Sequence, residues 1–342
     1  MPGFDALTLL QLLKRVVVSS FLFFSGFTPH IWQLLACTHL LKLQVANSNG
    51  PIPVLLCRPT GGGKTAVQNA TSITLGGGIS LMLVPLLALA GDQTSKLRAV
   101  AAKQKKVRVY NLDEIKKAKK KRRLQRELIQ NLDPSSGITV YLFSSPQTIT
   151  TDKSWQKCFQ KLIELGKMKM VTIDECHLYA NFGMEFRGEF VDLKDSLFLL
   201  LSSAPNSIPV LFMTATGAKD MVNELEQLTG LVFEKPADIL WPYDTTLFQR
   251  RNISLQMKFS ISPLSELKSQ LRKLDEEEIR NNKCIVYTKS VKRCDSLHSQ
   301  ARALMDSEMI PGDVVMVNGT LFIEQKFHNV ELFVGSVKKS FV

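Results

Sequence analysis

Six cysteines in 342 residues, at 37, 57, 158, 176, 284 and 294, form no C-x-x-C pair, and no histidine completes a metal-ligand pattern with them. That scarcity excludes a secreted disulfide framework and predicts reduced thiols and no zinc site. Long apolar runs are also missing. The apolar stretch near the start, residues 16–24 (VVVSSFLFF), is too short to span a bilayer. It follows Lys14 and Arg15, but no A-x-A-like cleavage signal comes after it, so it reads as a buried N-terminal helix or an imperfect start to the chain rather than a leader, and no membrane partner is expected. No repeat occurs at solenoid periods, and the only low-complexity tract is one run of lysine and arginine. A chain that is 45% hydrophobic and 22% charged is neither disordered nor fibrous.

Acidic residues are nearly absent from residues 96–126, which hold 14 Lys and Arg against 2 Asp and Glu. The whole chain carries a formal net charge of +12, so this segment accounts for all of the excess and the remainder is neutral. Positive charge confined to one stretch points to a polyanionic partner, although its sign does not separate nucleic acid from a membrane surface. The run 116–123 (KKAKKKRR) suits a phosphate-tracking surface or a nuclear import signal, with a solvated helix face as the bland alternative. Nuclear residence is expected from that run alone.

Apolar runs at 54–57, 79–85, 107–110, 138–143, 168–173, 209–213, 284–287 and 313–317 read as strands, and most are continuous rather than alternating. Continuous runs suit strands buried on both faces, so the fold class is α/β, a parallel sheet flanked by helices. A helix is predicted over 114–132, where Leu124, Leu128 and Leu132 share one face and Asp133-Pro134 ends it. Interruptions at Lys235-Pro236 and Trp241-Pro242 place a boundary between 236 and 251. The predicted organisation is an apolar extension (1–26), a first domain (27–245) and a second, partial domain (246–342).

The sharpest motif is residues 58–65 (RPTGGGKT), directly after the strand at 54–57 and before a plausible helix at 66–72. Glycines let backbone N–H groups close around phosphate oxygens, and the following helix start favours negative charge. In such a loop Thr60, Gly61, Gly62 and Gly63 form the cradle, Lys64 reaches the β and γ phosphates, and Thr65 holds Mg²⁺. Arg58 departs from the general G-x-x-x-x-G-K-[ST] formula, which has glycine at that position. A second motif, residues 171–177 (VTIDECH), ends a strand in two carboxylates. There Asp174 suits the metal shell and Glu175 suits a water-activating base.

Motif order then carries a resemblance. RPTGGGKT, LVPLLALAGDQ (83–93), IDECHLYANFGMEFRGEF (173–190), MTAT (213–216), FQRRNI (248–253) and IVYTKS (285–290) together resemble the RecQ family of superfamily-2 DNA helicases. The resemblance covers about residues 27–290 and implies two RecA-like lobes with ATP in the cleft between them. By it, Lys64, Asp174, Glu175 and His177 are catalytic, and His177 links the nucleotide site to the DNA side. Gln33 matches the glutamine that reads adenine. Pro85, Asp92 and Gln93 match the segment touching the nucleic-acid backbone. Thr214 and Thr216 match the motif coupling hydrolysis to lobe movement. Phe182, Phe186 and Arg187 match the aromatic-rich loop that senses single strands, where rings stack on bases of any sequence. The implied partner is single-stranded or junction-containing DNA, with 3′-to-5′ polarity.

The family's later motifs are not found. After residue 313 no Q-x-x-G-R-x-x-R-like string occurs, and neither does a cysteine-rich zinc module or a winged helix. Loss of a trans-acting arginine typically costs about 10³ to 10⁵ in rate, so a truncated form with impaired turnover is expected. Two other readings remain open: an RNA helicase of the same superfamily, and a non-catalytic protein whose DNA affinity is gated by nucleotide.

Overall fold

The computed structural model describes residues 16–20, 26, 28–45, 49–85, 87–178, 192–216, 221–233, 285–288 and 290–307, with isolated positions among the rest of the second half. The chain divides into two compact units, Met1–Arg250 and Arg251–Val342. The first is built on a sheet of β1 (Gly50–Cys57), β2 (Gly78–Leu83), β3 (Val107–Asn111), β4 (Thr139–Ser144), β5 (Met168–Ile173) and β6 (Ser207–Thr214). Its order is β1-β6-β5-β2-β4-β3, and every pairing is parallel. All six strands therefore end at one edge.

The helices follow from what each strand leaves uncovered. On one face, α1 (Ile31–Val45), α2 (Lys64–Thr74) and α3 (Leu87–Ala102) place Ala36, Leu40, Val67, Ala70 and Leu97 against Leu56, Met82 and Met213. On the other, α4 (Ala118–Arg126), α5 (Pro146–Thr151) and α6 (Lys153–Glu164) bring Leu124, Trp155, Phe159 and Leu162 against Leu81, Leu142 and Val171. Further along, the short turn α7 (Leu199–Leu201) and α8 (Met221–Thr229) extend this second face. The sheet is buried on both sides, as its continuous apolar strands require. Residues 16–20 are helical, with Val17 buried and the Ser20 hydroxyl 3.0 Å from that of Thr74 at the end of α2.

Three expectations need correction. First, β1 begins at Gly50 rather than at 54. It pairs only with β6, and Pro51 and Pro53 lack the N–H groups that would face the unpaired side, so an edge strand tolerates both. Second, the single helix predicted over 114–132 is broken up. A 3₁₀ turn occupies Leu112–Glu114, α4 starts at Ala118, and a π turn, Glu127–Asn131, closes it. Asn111 caps the first turn by accepting from the Asp113 N–H, which diverts the chain before α4 begins. Leu124, Leu128 and Leu132 are nevertheless all buried.

Third, in the second unit the described residues 285–288 form no strand, and Tyr287 is 88% exposed. The apolar run has neither a ladder partner nor a covering layer among the described residues. This unit's described elements are α9 (Val291–Ser307), with Ala301, Leu304 and Met305 buried, and the two-residue parallel pair β7 (Asp313–Val314) and β8 (Ser340–Phe341). Of the run predicted at 313–317, the described residues are Asp313 and Val314 in the strand and Met316 outside it.

Candidate nucleotide site

Three neighbouring strands deliver the sequence motifs to one edge. β1 ends in the glycine loop, β5 ends in Asp174 and Glu175, and β6 lies between them and ends at Thr214. The turns are stitched together by backbone bonds: Arg58 N donates to Thr214 O at 3.1 Å, Cys176 N to Met213 O at 2.9 Å, and Asp174 N to Leu83 O at 3.0 Å. Loop and acidic pair are thus held by main chain rather than by mobile side chains.

Residues 58–65 have the form of a phosphate cradle. Gly61 and Gly63 adopt φ of +78° and +87°, a region that favours glycine. A Cβ at Gly63 would fall 2.5 Å from Gln33 Nε2, and one at Gly62 would fall 2.9 Å from the Pro59 carbonyl oxygen. Gly63 is the N-cap of α2, with no side-chain cap and no acidic residue in the first turn, so the helix start keeps its N–H groups and positive potential for an anion. Thr60 is exposed on the loop, and Thr65 sits half-buried in the first turn of α2. Lys64 Nζ donates to the carbonyls of Arg58 at 2.8 Å and Pro59 at 3.4 Å. Burial lowers its pKa, opposed by Glu175 and Asp174, so both carboxylates lie within electrostatic reach of the ammonium.

The acidic side is equally fixed. Asp174 is 6% exposed, and its two oxygens are both held, one by the Glu175 N–H at 3.0 Å and the other by Gln93 Nε2 at 2.8 Å. Glu175 has φ of +48°, unusual for a residue other than glycine and a sign of a constrained turn. Burial raises its pKa, helped by Asp174 and opposed by His177 and Lys64. His177 Nδ1 lies 3.0 Å from Thr214 Oγ1 and 3.3 Å from Glu175 Oε2. Because the Thr214 hydroxyl donates its one proton to Thr216 O at 2.8 Å, the Nδ1 proton belongs to His177, which donates toward both oxygens. Thr216 N returns a bond to Thr214 Oγ1 at 3.1 Å.

Gln33 is buried and joins the loop instead of facing outward, donating through Nε2 to Gly63 O at 3.2 Å and accepting from His30 N at 2.8 Å. Gln93, expected beside nucleic acid, has its amide on Asp174. Its Oε1 is buried without a hydrogen-bond partner. Pro85 lies just past β2 and Asp92 lies within α3. Phe182, Phe186 and Arg187 fall outside the described residues. The sequence reading missed Trp32, whose ring lies 4.7 Å under the Arg58 guanidinium and holds the entry to the loop. The misfit of Arg58 to the general loop formula was the available signal. Among the described residues no group of three His, Cys, Asp or Glu side chains clusters as a metal site, and no helix is long and apolar enough to cross a membrane.

The donor set suits a magnesium nucleotide: a glycine cradle that a Cβ would obstruct, a half-buried lysine, a threonine hydroxyl, and an oriented carboxylate opposite. The chain is 24% identical over 271 residues to the ATP-dependent DNA helicase hus2/rqh1 of Schizosaccharomyces pombe, covering 76% of this chain and 18% of that protein. Among solved structures it resembles the DUF1998 helicase MrfA bound to DNA and AMPPNP, with a TM-score of 0.60 at 18% identity over 95% of this chain and 43% of that one. It also resembles Saccharomyces cerevisiae Dbp5 bound to RNA and ADP BeF3, with a TM-score of 0.56 at 15% identity over 91% of this chain and 73% of that one. At such identities these two structures show the fold alone, an α/β helicase lobe of RecA type. The sequence profile of the DEAD/DEAH box helicases matches residues 41–225, more than half of the chain, and the chain belongs to that family.

Proposed function

We propose that this chain carries the ATP site of a RecQ-type DNA helicase, one that couples ATP hydrolysis to 3′-to-5′ movement on single-stranded DNA and to strand separation. One observation carries the reading. A single strand, β6, separates the glycine loop from the acidic pair, all three open at the same edge, and both carboxylates lie within electrostatic reach of Lys64. The choice of DNA is supported by the relative named as a DNA helicase and by the likeness of residues 173–190 to the RecQ aromatic-rich segment.

In this reading the amides of Gly61 to Gly63 and the start of α2 bind the phosphates, and Lys64 exchanges its loop carbonyls for phosphate oxygens. Thr65 and Asp174 would hold the magnesium ion, which supplies neutralisation of phosphate charge when bound. Glu175, with its raised pKa, orients and deprotonates the attacking water. His177, Thr214 and Thr216 pass the state of that carboxylate along the end of β6. Residues 27–245 form the ATP-binding lobe and residues 246–342 part of a second. The basic run supports nuclear residence.

ATP turnover measured with single-stranded DNA, with RNA and without nucleic acid tests the reading. Stimulation by DNA that Lys64→Ala abolishes is expected. Preferential stimulation by RNA would transfer the chain to the RNA reading. ATP-dependent change of DNA affinity without turnover would leave only a nucleotide-gated binding protein.

A further inference from the structure

Part of the chain's excess charge lies on a second surface of the first unit, at the sheet edge opposite the nucleotide site. β3 is the far edge strand, five strand spacings or about 24 Å from β1. Val107 and Val109 of β3 pack on one face of the sheet, which turns Arg108 and Tyr110 toward α4. There Arg108, Arg123, Arg126, Glu127 and Asn131 line a cleft of about 460 Å³. Arg108 is held by Glu127 at 2.8 Å, and the Tyr110 hydroxyl approaches the same carboxylate at 3.5 Å. Among the described residues no carboxylate pairs with Arg123 or Arg126, so three guanidiniums share one negative group.

The helix continues the pattern. Lys119, Arg122, Arg123 and Arg126 recur at three- and four-residue spacing and are all exposed, while Leu124 on the opposite side is buried. Like charges at that spacing repel. The repulsion is braced rather than relieved: Lys121 pairs with Asp152 at 2.6 Å, and Lys167 Nζ caps the Ile129 carbonyl at 2.6 Å beyond the helix end. An exposed stripe of lysine and arginine beside an arginine-lined cleft is suited to phosphate, whose oxygens match the planar guanidinium fork.

We propose that this cleft and the adjoining face of α4 form a second nucleic-acid contact, one that grips backbone phosphates regardless of sequence. It rests on the reading of the chain as a nucleic-acid motor, and it adds a holding surface separate from the edge where nucleotide binds. The expected ligand is the sugar-phosphate backbone itself, because charge and arginine geometry are the only specificity the surface offers.

Anisotropy titrations of labelled single-stranded and duplex DNA, run from low to moderate salt on the full chain, test this. The variant is Arg123→Gln with Arg126→Gln, both exposed, and Mg-ATP affinity serves as the check on folding. Lys119→Gln with Arg122→Gln is a second variant on the same stripe. Each pair is expected to flatten the slope of log affinity against log salt by about 2 and to weaken binding about tenfold or more, for any sequence. Whichever polymer responds is the one that crosses this surface. Unchanged slope and affinity on both polymers overturn the second contact and leave the motor reading standing. A parent chain that binds neither polymer at low salt overturns both.

Discussion

Gly63 holds φ at +87° with Gln33 Nε2 where a Cβ would sit, so one position joins backbone conformation, the buried glutamine and the cradle. Gly63→Ala is therefore expected to lower stability by about 1–2 kcal/mol from the left-handed backbone alone, read by denaturant titration, and to weaken ATP binding in parallel. Gln93 acts at the other side of the site. Its amide fixes one oxygen of Asp174 from α3, the helix that follows β2, and so sets the direction of the carboxylate that would meet magnesium. Gln93→Ala should raise the magnesium concentration needed for half-maximal ATP binding about 10-fold or more while leaving magnesium-free binding nearly unchanged. The contacts of Gln33 with Gly63 and of Gln93 with Asp174 escaped the sequence. A glutamine's partner is set by tertiary approach, here by Gln93 and Asp174 meeting across 81 positions, and no local spacing records it.

At the level of elements, α6 depends on Asp152, which caps it by accepting from Ser154 N at 3.0 Å and Trp155 N at 3.3 Å and which also pairs with Lys121 of α4. Burial pushes its carboxyl pKa up, but the bonds from Lys121, Ser154 and Trp155 outweigh that and leave it below the ordinary value. A depressed folded pKa means stabilisation that is complete above the unfolded value of about 3.9 and is lost as pH falls through the lower folded value. Asp152→Ala should cost about 1 kcal/mol at neutral pH, with the difference from the parent shrinking in acid, and Asp152→Asn should cost less because it keeps the cap. Strands were the most legible elements. Met168–Ile173 stands where the apolar run placed it, and the other five of the first unit differ only at their ends. The failures came where periodicity competes with local hydrogen bonding, as at Asn111 before α4, or where an apolar run finds no ladder partner, as at 285–288.

For the molecule as a whole, a sheet of six parallel strands with helices on both faces brings distant motifs to one edge. The glycine loop and the acidic pair were legible because each directly follows an apolar strand. That β6 would lie between them, and that His177 would meet Thr214, required the strand order, which no local pattern contains. Nucleotide binding here requires the loop and the acidic pair to act as one site. A double-mutant cycle on magnesium-dependent ATP affinity, with Lys64→Ala, Asp174→Asn and the pair combined, tests this most directly. One site predicts strong non-additivity, a coupling of about 1–3 kcal/mol, with the double variant little worse than the poorer single one. Additive losses, or ATP binding indifferent to either substitution, would contradict it.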